Sequence, residues 1–147
     1  MSGGRLILIL GDQLDRRSPV LAACDPARDR LLMIEARSES QRVPSHQARS
    51  GLFFAAMRQH AAWLEGQGYR LEYLRIDQPE AASFSEGLSA AIQRHAPRQL
   101  LMLEPGEYGV QQEIEQCCAA HRLALEVLDD PHFLCSRAQF AAWREGR

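Results

Sequence analysis

Arg5-Leu-Ile-Leu-Ile-Leu10, running straight into Gly11-Asp12-Gln13-Leu14, decides the fold of this chain. An apolar run of that length suits a parallel strand covered on both faces, and glycine with an acid ends it at once. In open parallel sheets ligands gather at the carboxyl ends of the strands, so the first fifteen residues already point to a pocket-forming edge. Four further runs have the same character: residues 31–36, 70–76, 99–104 and 124–128.

The segments between them read as crossover helices. The longest is expected from about Ser45 to Gly66, with Phe53, Met57, His60, Ala61 and Leu64 forming one apolar stripe and Gly66 and Gly68 stopping it. Another runs over residues 83–95, with Phe84, Leu88, Ala91 and Ile92 on one face and Ser83 and Glu86 at capping-box spacing. A third covers residues 108–121, turning Val110, Ile114, Cys117 and Cys118 inward. The first crossover is weaker: Ser18-Pro19 starts a short helix through Ala23, and Asp25-Pro26 breaks it. Together these imply an α/β fold, a doubly wound five-stranded parallel sheet of order 3-2-1-4-5. It is Rossmann-like or flavodoxin-like, with helices on both faces. Residues 136–147 read as a final helix carrying Phe140 and Trp143 on one face. A pattern that stops on such a helix is expected to be one domain, residues 1–147, of a longer protein.

Composition narrows the function. A length of 147 residues suits one domain with a real core, and a net charge of −2 gives no general attraction to nucleic acid. All 17 basic residues are arginine, so mechanisms that need a lysine are excluded from this chain: P-loop phosphate transfer, Schiff-base chemistry and receiver-domain phosphorylation. Cys24, Cys117, Cys118 and Cys135 show no C-x-x-C spacing and read as reduced thiols. No run approaches the ~18 apolar residues of a membrane span, and no signal-peptide pattern opens the chain, so no membrane partner and a cytoplasmic location are expected. Neither G-x-G-x-x-G nor G-x-S-x-G occurs, and the five histidines are scattered without a triad partner.

Chemistry concentrates at the strand ends. Gly11 permits close backbone approach, while Asp12 and Gln13 offer an acceptor and an amide; a tight turn capped by Asp12 explains the same residues. Glu35 and Glu104 fall on the same sheet edge as Asp12. Three acids there suit ribityl or ribose hydroxyls, and equally suit solvated loops.

Leu8-Ile-Leu-Gly-Asp-Gln-Leu14, Phe54-Ala-Ala-Met-Arg58, Glu104-Pro-Gly-Glu107 and Phe133-Leu-Cys-Ser136, taken in order, resemble one family. It is the N-terminal domain of the deoxyribodipyrimidine photolyase-related proteins, the prokaryotic iron–sulfur (6-4) photolyase and cryptochrome group. The resemblance covers essentially the whole chain. It implies an antenna-type domain binding 6,7-dimethyl-8-ribityllumazine, with Gly11, Asp12, Gln13, Leu14, Glu35, Glu39 and Phe53 around the chromophore. Asp12, Gln13 and the glutamates would hydrogen-bond the polar ring edge and ribityl chain, and Leu14 and Phe53 would be apolar walls. It further implies a helical C-terminal region carrying FAD and an iron–sulfur cluster, absent from this chain and its partner in cis. DNA photoproduct repair or blue-light signalling, and any contact with DNA, would then belong to the parent, and this fragment is not catalytic alone. The chain departs from the family pattern at Arg42, at Ser45-His46-Gln47 and at Tyr108-Gly109. Two other classes fit the residues: a stand-alone flavodoxin-like domain for a small ligand or nucleotide, and an interaction domain. If the face meant for the C-terminal region is bare, self-association through an exposed apolar surface is expected.

Overall fold

The computed structural model describes residues 3–42 and 46–146. Five parallel strands, β1 (Leu6–Leu8), β2 (Arg30–Ile34), β3 (Leu71–Leu74), β4 (Gln99–Leu103) and β5 (Ala124–Leu128), form one sheet of order β3-β2-β1-β4-β5. This is the doubly wound order expected from the sequence. Strand β1 is central because its side chains tolerate burial on both faces: Leu6, Ile7 and Leu8 are all essentially inaccessible.

The two faces of the sheet build two cores by simple alternation. Leu6, Leu8 and Leu10 point to the side covered by α4 (Phe84–His95) and α5 (Tyr108–Ala120), where Leu88, Ala91, Ile114 and Cys118 meet them. Ile7 and Ile9 point to the other side, where α1 (Pro19–Ala22) and α3 (Gln47–Gly66) contribute Val20, Leu21, Met57, Ala61 and Leu64. The Ser83 side chain accepts from Glu86 N at 3.1 Å, capping α4. Gly68, at φ +86°, reverses the chain after α3.

Three features depart from the sequence reading. The strands β1 to β4 end earlier than their apolar runs, because the chain turns: Gln13 N already donates back to Leu10 O. A helix α2 (Arg37–Arg42) follows β2 with no buried residue and therefore no apolar period to reveal it. Arg37 anchors it by donating to the carbonyls of Ile76 and Gln78 at 2.6 and 2.7 Å, just ahead of a 3-10 turn at Pro79–Ala82 that was equally invisible in the sequence. Ser45, the expected first residue of α3, lies outside the described residues. The helix starts after His46, whose Nδ1 accepts from Ala48 N.

The β5 edge is thinly covered. The final helix, α6 (Arg137–Glu145), opens with a reciprocal Ser136–Gln139 capping box yet buries no residue. Among the described residues no helix is long and apolar enough to cross a membrane.

Candidate functional site

A cleft of about 620 Å³ opens at the carboxyl ends of β1, β2 and β4. It lies where the chain leaving β1 and the chain leaving the adjacent β4 pass to opposite faces of the sheet, the position at which such sheets form crevices. Its floor comes from the strand ends at Leu10, Gly11, Ile34 and Ala36, and one wall from α3. On that helix Ser50, Phe53, Phe54 and Met57 recur at three- and four-residue spacing, so one face supplies a polar lip and an apolar wall. Phe84 and Val110 close the side beneath α4 and α5.

Gly11 is required here by a neighbouring side chain. A Cβ at Gly11 would lie 2.5 Å from the Phe53 ring and 2.8 Å from Met57 Sδ. The close approach that glycine permits is thus made by Phe53, whose ring is 45% exposed on the cleft instead of belonging to the buried stripe of α3.

Glu35 is the most enclosed acid of the site, with no exposed area. Its carboxylate accepts from Arg58 Nε at 2.7 Å and Nη2 at 2.9 Å, from the Tyr73 hydroxyl at 2.6 Å and from Ile76 N at 2.9 Å. Burial alone would raise its pKa, but these donors outweigh burial and hold it below the usual carboxylate range. Its accepting capacity is filled, so Glu35 braces the wall between β2, β3 and α3 and leaves ligand contact to others.

Asp12 and Glu39 behave differently. Asp12 is exposed by area, yet desolvation against the cleft, followed by the nearby Asp130 and Glu107 charges, raises its carboxyl. Desolvation also raises Glu39, against the pull of Arg42. Arg42 reaches across the mouth, 3.3 Å from Glu39 Oε1 and 3.2 Å from Glu107 Oε2, with its guanidinium against Gly109 of α5, where a Cβ would lie 2.7 Å from Nη2. Arg49 lines the cleft, and its side chain makes no hydrogen bond or ion pair among the described residues. The mouth is therefore a ring of acids with one bridging and one uncommitted cation.

The residues singled out from the sequence divide in two. Gly11, Asp12, Glu35, Glu39 and Phe53 line the cleft together. Gln13, Leu14 and Glu104 stand behind it. Gln13 is buried and donates from Nε2 to the Glu104 carbonyl at 3.0 Å, tying the β1 loop to the β4 loop; its Oε1 has no partner among the described residues. Leu14 packs against the α1–α3 core, and the Glu104 carboxylate pairs with Arg137 at the start of α6. Sequence reasoning missed Arg49 and Phe54 as lining residues, and marked Arg42 only as a departure from the family pattern. The signal for Phe54 was its place one turn beyond Ser50; Arg42 had only its departure from the family pattern, because its helix carries no apolar period.

Two comparisons with known proteins agree. The family described as deoxyribodipyrimidine photo-lyase-related protein matches residues 7–147. A protein of Agrobacterium fabrum described as a (6-4) photolyase is 35% identical over 144 residues, covering 97% of this chain. The chain spans 28% of that relative's length.

Proposed function

This chain belongs to the deoxyribodipyrimidine photo-lyase-related protein family, and on that premise we propose that it is an antenna-chromophore-binding domain, with a ribityl-lumazine as the ligand of the β1–β2–β4 cleft. The observation that carries this reading is the composition of the cleft. Three phenylalanines and Met57 face a mouth of carboxylates, Ser40 and the uncommitted Arg49. A flat conjugated ring with a polyhydroxylated tail needs that combination, and about 620 Å³ lies within the range of small-molecule sites.

In this proposal Phe53, Phe54 and Met57 exclude water from the ring. Asp12 and Glu39 accept hydrogen bonds from hydroxyls, and Arg49 donates to a ring carbonyl. Gln13 and Glu35 hold the loops and wall in place. The bound chromophore would supply near-ultraviolet absorption and pass excitation onward; no bond is made or broken in this domain. Light-driven repair of DNA photoproducts or blue-light signalling, and the FAD and iron–sulfur chemistry they need, are proposed for the longer parent.

Titration with 6,7-dimethyl-8-ribityllumazine tests the reading. A saturable, red-shifted near-ultraviolet band is expected, and Asp12→Ala should weaken binding by roughly 1–3 kcal/mol through loss of a charged acceptor. No uptake by the wild-type chain, with flavin mononucleotide taken up instead, would replace the antenna reading with a flavodoxin-like one.

A further inference from the structure

The opposite edge of the sheet carries a second cavity, of about 190 Å³, at the amino ends of β1, β2 and β3. Its lining includes Arg5, Arg28, Arg30, Arg70 and His95 and, among the described residues, no acid. In a chain of net charge −2, that concentration of guanidinium groups requires an explanation. The topology produces it: Arg5 precedes β1, Arg30 starts β2, Arg70 precedes β3, and parallel strands bring all three starts to one edge. Gly4 makes the floor, since a Cβ there would collide with the Arg28 carbonyl.

Two of the nearby acids are already committed. Asp29 is buried and takes Arg5 through Nε at 3.2 Å and Nη2 at 2.7 Å, and also accepts from the Arg5 and Asp25 amides. Glu72 is engaged by Arg94 and by His95. The Arg30 side chain makes no hydrogen bond or ion pair among the described residues, and Arg70 gives one donor to the Ala27 carbonyl. Like charges brought to one edge repel one another, and no carboxylate is among the described residues that line the cavity. The His95 imidazole registers the field: after desolvation, the Arg30 and Arg94 charges are what lower its pKa.

We propose that this cavity is a binding site for a phosphate-type oxyanion, held by Arg30 and Arg70 with Arg5 and Arg28 around it. Planar guanidinium forks match tetrahedral oxyanions by paired donors, and a cavity worth roughly six waters of liquid volume admits one such group. The site lies across the sheet from the chromophore cleft and does not depend on that reading. Its ligand chemistry is a phosphate monoester or inorganic phosphate on one hand, or a phosphodiester on the other.

The test titrates inorganic phosphate into the full chain at constant ionic strength made up with chloride, following the His95 ring by NMR and the melting temperature. A saturable His95 shift is expected, with its titration midpoint moving up because an anion offsets the arginine field, and with a phosphate-dependent rise in melting temperature. Arg30→Ala and Arg70→Ala should each weaken binding about tenfold or more, whereas Arg75→Ala, at the far end of β3, should not. Arg70 is exposed, so its variant reports on binding even where Arg30→Ala disturbs β2. A short oligothymidylate that competes for the His95 signal identifies a phosphodiester as the ligand, and one that does not identifies the free or monoester form. A response that never saturates, or one that survives both substitutions, overturns the proposal.

Discussion

Glu35 shows how one acid can look functional in sequence and prove architectural in three dimensions. It ends β2 on the pocket edge, yet Arg58, Tyr73 and Ile76 supply four donors to its two oxygens. Glu35→Gln should cost about 2 kcal/mol, below the range for breaking a fully buried ion pair because Arg58 is 42% exposed. The sign with pH follows from its lowered folded-state pKa. The carboxylate contributes its full stability above the ordinary unfolded value of about 4.3 and loses it as pH falls through the folded value. Urea unfolding at pH 7 should therefore separate wild type from Glu35→Gln, and the gap should narrow as pH falls below about 4.3 and close below the lowered folded value. A gap independent of pH would mean that shape, not charge, holds the wall.

Among the elements, α3 does most to position the site, since its polar-to-apolar face forms the cleft wall while Met57, His60, Ala61 and Leu64 seat it on the sheet. Its exit depends on Gly68 at φ +86°, a conformation that costs a side-chain-bearing residue about 1 kcal/mol. Nothing lies within 4 Å of a Cβ placed there, so Gly68→Ala isolates backbone strain from crowding. A loss of about 1 kcal/mol in denaturant unfolding, with affinity for the proposed ribityl-lumazine unchanged, is expected. A larger loss with altered affinity would show that the turn sets the tilt of α3 and hence the width of the cleft. Helix α2 carries the mouth residues Glu39 and Arg42 without any apolar seat of its own, and three Arg37 hydrogen bonds to the 76–79 segment substitute for one.

The whole molecule is electrically divided. Asp12, Glu39, Glu107 and Asp130 gather around the carboxyl edge of the sheet, while Arg5, Arg28, Arg30 and Arg70 crowd its amino edge, and the near-zero net charge conceals the division. A second asymmetry is apolar: Phe133, Leu134, Phe140 and Trp143, in the segment that follows β5, are each more than half exposed. Exposed groups of that size favour association. Light scattering should show the chain associating as concentration rises, and Phe140→Glu with Trp143→Glu should restore the monomer. A wild-type chain that stays monomeric at high concentration would remove this face as the cause of association.

The sequence by itself determined the sheet. Apolar runs bounded by turn residues mark five strands, and the right-handed crossover rule leaves few orders for them. It also determined the two packed faces, because helical and strand periods are local properties that burial enforces. Resemblance of four short motifs was enough to identify the family. Only the tertiary structure decided which polar residues are free to act. Whether Glu35 is a ligand or a brace depends on Arg58 and Tyr73, 23 and 38 residues away. Whether Arg30 and Arg70 form a site depends on two strand starts meeting at one edge. Partners of that kind are separated along the chain and carry no period, so they acquire meaning only once the sheet has brought them together.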